Sequence, residues 1–210
     1  MPTTGLRPFI GGGQSSTVPN ASFPGYGSAQ YYLPSGIAEG SGSRTLTANR
    51  LYGMPFFCKA TKSFTAISVY QSGAGTTGNI RLGIYNDTSG LPGTLSQDCG
   101  VVTFPGSTGF RTVTTTISLI GGTWYWLAAV ADAALVVAGW GNNVTGQPVA
   151  NMIADHGLST AAVATLDFST NIDGYLPIYA AFSYGVLSGA NPFPTYAGYT
   201  ASAPIIALKG

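Results

Sequence analysis

Short stretches of alternating apolar and polar residues, separated by glycine-rich turns, constrain the fold of this chain more than any other feature. Residues 63–71 and 112–119 alternate with a period of two, which places successive side chains on opposite faces of a β-strand. In the first stretch the pattern leaves open whether Ala66 or Ile67 faces inward. Helical periodicity is nearly absent, and only residues 158–166 suggest a turn or two of helix, with a loop as the alternative. The chain is therefore predicted to be all-β.

Roughly eight to ten short strands follow from this pattern, and their spacing favours a two-sheet sandwich or a barrel. The continuous bulk of residues 123–130 is typical of a central strand. Pro55 places its strand at a sheet edge or a bulge, and Gly83 predicts a bulge or the close approach of another backbone. Further strands are predicted at residues 45–58, 79–85, 101–104, 135–140, 178–184 and 204–208.

The chain divides near residue 45. Residues 1–44 contain five prolines, a run of three glycines and single aromatic residues without strand or helix periodicity. Such a segment buries too little surface by itself to offset its ordering entropy. We predict an extended arm at residues 1–44, laid on a neighbouring subunit or across its own domain, and a β-sandwich at residues 45–210. The candidate assembly contacts in the arm are Phe9, Phe23, Tyr26, Tyr31, Tyr32 and Leu33.

Charged residues are scarce in this sequence. Asp, Glu, Lys and Arg make up 7% of the 210 residues, whereas an ordinary soluble domain carries roughly 25%. So few charges do little to keep separate copies apart, which indicates a subunit that other protein covers. The net charge is +1 and no cluster of Lys and Arg could follow a phosphate backbone, so nucleic acid is not an expected partner.

Neither secretion nor a membrane is expected from the sequence. The N-terminal residues lack the basic start and apolar run of a signal peptide, and no apolar run has the length of a membrane-spanning helix. Cys58 and Cys99 follow no metal-binding spacing. One disulfide between them is possible, but two buried free thiols are the favoured interpretation.

Several stretches of the sequence carry a resemblance to a known family. They are residues 49–56 (Asn-Arg-Leu-Tyr-Gly-Met-Pro-Phe), 64–67 (Phe-Thr-Ala-Ile), 78–85 (Gly-Asn-Ile-Arg-Leu-Gly-Ile-Tyr), 91–93 (Leu-Pro-Gly), 122–128 (Gly-Thr-Trp-Tyr-Trp-Leu-Ala) and 203–208 (Ala-Pro-Ile-Ile-Ala-Leu). Together they resemble the jelly-roll domain of tailed-bacteriophage structural proteins, of the capsid decoration, head fibre, tail fibre and minor tail types. The resemblance spans about residues 45–140, and residues 203–208 resemble separately the last strand of these proteins. It implies a jelly-roll-like antiparallel β-sandwich, a trimer or docking on a symmetric shell, and no catalysis.

The expected function is that of a virion structural protein made in the host bacterial cytoplasm. A capsid decoration (cement) protein that binds the major capsid shell and neighbouring copies is favoured, because the chain is short and lacks a collagen-like or coiled-coil shaft. The alternative is a tail or head fibre protein with a jelly-roll domain that binds a receptor or a host surface glycan. The candidate glycan contacts are Tyr175, Tyr179, Tyr184, Tyr196 and Tyr199.

Residues that could carry catalysis are few. The one histidine, His156, has no nucleophile elbow to accompany it and is interpreted as a loop residue or hydrogen-bond partner. Asp155, Asp167 and Asp173 could in principle serve glycoside hydrolysis, and Asp167 and Asp173 could hold calcium, but the capping of turns is the favoured interpretation. We therefore predict no enzyme, no cofactor and no metal site.

Overall fold

The structure, a computed structural model, describes residues 26–34, 41–141, 178–189 and 202–210. Over these residues the chain is all-β, with antiparallel strands in two sheets that face each other as a sandwich, and it contains no helix. The fold class expected from the sequence is confirmed. The strands are β1 (Tyr31–Tyr32), β2 (Ser41–Thr45), β3 (Arg50–Cys58), β4 (Lys62–Gln71), β5 (Thr77–Thr88), β6 (Leu91–Pro105), β7 (Gly109–Leu119), β8 (Thr123–Ala131), β9 (Val136–Gly141), β10 (Ile178–Ala181), β11 (Ser202–Pro204) and β12 (Ile206–Lys209).

Seven of these strands form sheet A and five form sheet B. Sheet A has the order β1-β12-β4-β9-β11, with β7 paired to β4 and β2 paired to β9. Sheet B has the order β10-β3-β8-β5-β6, so the bulky strand β8 is central, as its sequence predicted. The last strands of the chain join two parts of sheet A, because β11 pairs with β9 while β12 pairs with β4.

The core lies between the two sheets and contains tyrosines as well as aliphatic side chains. Tyr52 and Tyr125 are buried there, and each hydroxyl accepts a hydrogen bond from a turn that precedes its own strand. The donors are the backbone N–H groups of Thr47, at 2.9 Å, and Ile120, at 3.0 Å. Since a buried hydroxyl without a partner destabilises a fold, these bonds tie the turns to the core.

A β-bulge in β4 determines which of its side chains face the core, a point that the sequence left open. The register between β4 and β7 shifts between Phe64 and Ala66. As a result Phe64, Ile67 and Val69 all enter the core between the sheets, although strict alternation would not place the first two on one face.

Pro55 lies in a part of β3 that has a described partner strand on one side. The pairing with β8 spans Leu51 to Cys58, whereas β10 covers only Arg50 to Gly53. A proline has no backbone N–H to donate, so this edge position accommodates it. Within the described residues, β3 thus lies between β10 and β8, and only the part that contains Pro55 has the predicted edge position.

Residues 26–34 lie across the sandwich of their own chain. Strand β1 pairs with β12, and the rings of Tyr26 and Tyr32 pack edge-on at 4.6 Å. Tyr26 also meets Phe64 of the core, with centroids 4.9 Å apart, and its hydroxyl accepts a hydrogen bond from Lys59 N at 2.9 Å. Strand β2 likewise pairs with β9 of the same chain. The described part of the predicted arm therefore contributes strands to sheet A.

The hairpin that joins β5 to β6 has a turn of only two residues. Thr88 pairs with Leu91, so the turn consists of Ser89 and Gly90, whose φ angles are 55° and 82°. Two positive φ angles in a two-residue hairpin are typical of a type I′ turn. Because the turn is this short, β6 begins at Leu91 and is much longer than the predicted strand at residues 101–104.

The outer face of sheet B carries a second apolar cluster. Its centre is Trp126, which is buried together with Tyr85 and Leu51. Residues 182–189, which we call the strap, follow β10 without regular structure and lie on this face through Phe182, Tyr184 and Leu187. The strand predicted at residues 178–184 therefore ends early, at Ala181. Sheet B is apolar on both faces because the strap covers the outer one.

Candidate functional site

The exposed aromatic side chains among the described residues gather on the outer face of sheet A. Tyr31 of β1, Tyr70 of β4 and Phe110 of β7 form what we call the aromatic patch. Tyr31 and Phe110 stack with centroids 4.8 Å apart and planes 5° apart, and Tyr70 meets Phe110 edge-on at 5.1 Å. The side chain of Phe110 is 52% exposed, and those of Tyr31 and Tyr70 are each 37% exposed. A contiguous aromatic surface left open to solvent is typical of an interaction site.

The register of sheet A explains how the patch forms. Tyr70 lies directly opposite Phe110 in the ladder between β4 and β7. Because Val69 faces the core, the alternation of the strand turns Tyr70 outward. Tyr31 joins the other two through the pairing of β1 with β12, in which it lies opposite Lys209.

A polar network on the opposite face of the same strands holds the patch in place. The Arg111 guanidinium donates from Nε to Gln71 Oε1 at 2.9 Å, and Gln71 is fully buried. Gln71 Nε2 in turn donates to Thr76 O at 2.8 Å, while Arg111 Nη2 donates to the carbonyl and hydroxyl of Ser107. Since these residues are direct neighbours of Tyr70 and Phe110, they stiffen the strand ends that carry the patch.

Hydroxyl pairs cross the two strands that carry Tyr70 and Phe110, and one charged side chain lies beside the patch. Across β4 and β7, Ser68 pairs with Thr112 at 2.8 Å and Ser63 pairs with Ser118 at 3.0 Å, each through the two side-chain oxygens. The ammonium of Lys209 lies 5.8 Å from the centroid of the Tyr31 ring, a cation–π distance. This face of sheet A is therefore suited to a polar but largely uncharged partner.

The predicted assembly residues divide between the core and the surface. Tyr26 and Tyr32 pack against the core of their own chain and are partly buried. Tyr31 and Leu33 remain exposed, the latter at 48%, and only Tyr31 joins the aromatic patch. Phe9 and Phe23 lie outside the described residues.

The two described glycan candidates do not share a surface. Tyr179 packs against the core between the sheets, whereas Tyr184 packs against the cluster on the outer face of sheet B. The guanidinium of Arg50 also covers one ring face of Tyr179, 4.3 Å from its centroid. A sugar-stacking platform needs several rings in one exposed plane, and this pair does not form one. Tyr175, Tyr196 and Tyr199 lie outside the described residues.

The acidic residues of the described part of the chain all have partners within the fold. These carboxylates are spread over different hydrogen-bonded pairs and do not converge on one another. Asp87 accepts from Trp126 Nε1 at 2.8 Å, Asp98 pairs with Arg81 at 2.7 Å, and Asp132 accepts from Asn79 N at 2.7 Å and Asn79 Nδ2 at 2.8 Å. The other candidate residues for chemistry, His156, Asp155, Asp167 and Asp173, lie outside the described residues.

Cys58 and Cys99 are buried free thiols, as the sequence favoured. Burial raises the pKa of Cys99 to about 12, and the nearby Asp98 carboxylate adds to the rise. Burial also raises the pKa of Cys58, whose sulfur lies 3.9 Å from the Tyr26 hydroxyl. Thiols held in the protonated form are poor nucleophiles, so neither cysteine has the character of a reactive site.

Two other kinds of feature are absent from the described ranges. No group of three or more His, Cys, Asp or Glu side chains is arranged there to hold a metal ion. No helix in these ranges is long and apolar enough to span a membrane. In comparisons with known proteins, no family model, curated protein or solved structure matches this chain.

Proposed function

We propose that this chain is a bacteriophage virion structural protein, a capsid decoration subunit that binds the major capsid shell and neighbouring copies. The observation that carries the proposal is the aromatic patch of Tyr31, Tyr70 and Phe110 on the outer face of sheet A, where Lys209 is the charged neighbour. The resemblance of the sequence to jelly-roll domains of phage structural proteins supplies the class of particle.

The patch has the composition of a protein contact. Aromatic side chains dominate the energy of protein interfaces, and a surrounding ring of polar residues excludes water from them. Tyr70 and Phe110 are already ordered by their mutual contact, so docking a partner there restricts few side-chain rotamers. One small patch gives a weak contact, but many copies on a symmetric shell raise the avidity.

The charge distribution supports assembly for a second reason. The described aspartates, Asp87, Asp98 and Asp132, are all engaged inside the fold, so they present little negative charge that would repel a partner. In a chain with 7% charged residues, such surfaces favour association over separation. The expected partners are the major capsid protein and further copies of this chain, most simply as a trimer.

The test is to find the chain in the particle. Virions of the phage that encodes it are purified and imaged by cryo-electron microscopy, beside virions that carry the double substitution Tyr70→Ser and Phe110→Ser. We expect density for the sandwich on the outer capsid surface, with the aromatic patch at a contact and reduced occupancy in the variant. Density on the tail, or absence of the chain from purified virions, contradicts the capsid assignment.

The patch also favours a second candidate function, that of a fibre protein that binds a host glycan. The rings of Tyr31 and Phe110 are partly exposed and lie within 5° of one plane direction, so they could stack on the apolar face of a sugar. A glycan array probed with the purified chain, and with the same double variant as control, separates the two functions. Binding that the variant loses supports the fibre function, and an array without binding leaves the capsid function favoured.

A further inference from the structure

The outer face of sheet B contains a binding site for a short peptide segment, formed by Gly83, Asn49 and Asp98, which we call the seat. The strap occupies this seat. Leu187 is almost completely buried although it belongs to a segment without regular structure. Its side chain fills the space above Gly83 of β5, where a Cβ atom would overlap Leu187 Cδ1 and stand 3.0 Å from Gln97 O. The glycine therefore forms the floor of an apolar hole that fits one leucine.

Three backbone N–H groups of the strap donate to fixed acceptors on the sandwich. Phe182 N donates to Asn49 O at 3.0 Å, and Tyr184 N donates to Asn49 Oδ1 at 2.9 Å. Leu187 N donates to Asp98 Oδ2 at 3.2 Å. Asn49 adopts a φ of 57°, a conformation that asparagine tolerates better than most residues, so its two oxygens are held in position by the turn itself.

The carboxylate of Asp98 is also held in place by contacts that do not involve the strap. Its Oδ2 pairs with Arg81 Nη1 at 2.7 Å, and its Oδ1 accepts from Gly100 N at 3.1 Å. Hydrogen bonds to the backbone of a guest, combined with one side-chain pocket, are the usual way in which proteins bind extended peptides. The strap thus has the contacts of a bound ligand that happens to be part of the chain.

The segments that join β10 and the strap to the rest of the chain are long enough for the strap to reach the seat of its own chain or that of a second copy. Strand β10, which leads into it, has four residues and, among the described strands, pairs with β3 alone. Residues 142–177 and 190–201 connect this unit to β9 and β11, and the contour lengths of chains with that many residues are roughly 120 Å and 40 Å, at about 3.3 Å per residue. Every contact of the seat can therefore form within one chain or between two copies.

We propose that sheet B also binds β10 and the strap of a second copy, so that neighbouring subunits exchange β10 together with the strap. Exchange of identical elements costs little because the same hydrogen bonds and apolar packing form again between the two chains. On a shell, the local concentration of neighbouring straps is high, which favours the exchanged form. The proposal rests on the assembly role proposed above and names a contact by which copies join.

The first test mixes two complementary variants of the full chain. Gly83→Val blocks the hole and leaves the strap intact, whereas Leu187→Asp spoils the strap and leaves the hole intact. If straps are exchanged, the strap of the first variant binds the seat of the second. We expect differently tagged variants to co-purify as a mixed complex at least tenfold more than either variant with itself. No enrichment of the mixed complex, with both variants folded by circular dichroism, overturns the proposal.

The second test uses the unmodified sequence, in case either variant fails to fold. Chains labelled with nitrogen-14 and nitrogen-15, both containing photo-reactive leucine, are unfolded together, refolded in equal amounts and cross-linked by light. With full exchange, about half of the cross-links from Leu187 to the strand of Gly83 join a light to a heavy peptide. Cross-links from Leu127, a core residue of sheet B, serve as the single-chain control. Isotopically pure links at Leu187 overturn the proposal, and they leave the virion assignment untouched because no virion is involved.

Discussion

Leu187 lies directly over Gly83, in the volume that any side chain at position 83 would occupy. The glycine is in the middle of β5, where residues with larger side chains normally favour strand formation. The register of β5 with β6 also shifts between Leu82 and Gly83, so the position combines a bulge with close packing. This one residue therefore couples the shape of sheet B to the segment that covers it.

Substitution of Gly83 by alanine is expected to destabilise the protein. The added methyl group would overlap Leu187 and stand 3.0 Å from Gln97 O, so either the strap or the backbone of β6 has to move. Overpacking of this kind costs about 1–3 kcal/mol. Urea unfolding followed by circular dichroism measures the change in the free energy of unfolding.

The double variant Gly83→Ala with Leu187→Ala identifies the cause. If the clash with Leu187 dominates, removal of the leucine side chain relieves part of the cost, and the double variant is less destabilised than the sum of the two single variants. Strictly additive losses would mean that the strain lies in the contact with Gln97 instead.

Asp87→Ala is predicted to destabilise sheet B through Trp126. The indole N–H of this buried side chain donates to Asp87 Oδ1 at 2.8 Å, and Asp87 Oδ2 also accepts from Gly90 N in the hairpin turn, at 3.1 Å. A buried donor left without its acceptor costs about 1–3 kcal/mol. The urea unfolding midpoint should fall, and the matched control Asp87→Asn, which keeps one acceptor oxygen, should lose less. Equal losses in the two variants would argue against the hydrogen bond as the cause.

The architecture could be predicted from the sequence because it depends on local alternation. Residues 123–130 were expected to be central and form β8, and Cys58 and Cys99 were expected to be buried free thiols. The start of β6 was missed, because Pro92 and Gly93 indicate a break in a strand. In the structure these residues sit beside a two-residue turn, where pairing across the hairpin compensates for their low propensity.

The surface features were harder to predict because they depend on contacts between distant residues. Phe110 precedes the alternating residues 112–119, and only its pairing with Tyr70 shows that it faces outward. The alternation in β4 did contain a signal, since it put Tyr70 on the face opposite Val69. Tyr31, in contrast, was expected to be an assembly contact, and that role stays a prediction.

Replacement of Tyr70 and Phe110 by serine is expected to weaken self-association while the fold is retained. Both side chains are substantially exposed, so the loss of folding stability should stay within about 1 kcal/mol. Loss of aromatic anchors typically weakens an interface by at least tenfold, or about 1.4 kcal/mol. Sedimentation velocity over a range of concentrations measures the association of the wild type and the double variant.

The control for this experiment is Val101→Ser, which removes an exposed apolar side chain outside the patch. Unchanged association of the double variant would contradict a role for the patch in contacts between copies.

Alkaline pH is predicted to destabilise the fold through Cys99 and Tyr26. Burial raises the pKa of the Cys99 thiol from 9.0 to about 12, and that of the Tyr26 hydroxyl from 10.0 to about 12. Both groups are neutral when protonated, and both bind protons more tightly in the folded chain. Their contribution to stability is therefore complete below about pH 9 and is lost as the pH rises towards 12.

The measurement is the free energy of unfolding by urea, at pH values from 7 to 11 and under reducing conditions. We expect the wild-type value to fall above about pH 9, and the fall to be shallower in Cys99→Ala and in Tyr26→Phe, because each variant lacks one of the titrating groups. Val101→Ser, which changes no titratable group, should keep the wild-type slope. If Cys99→Ala and Tyr26→Phe both retained that slope as well, other groups would have to account for the alkaline transition, and the two buried sites would not control it.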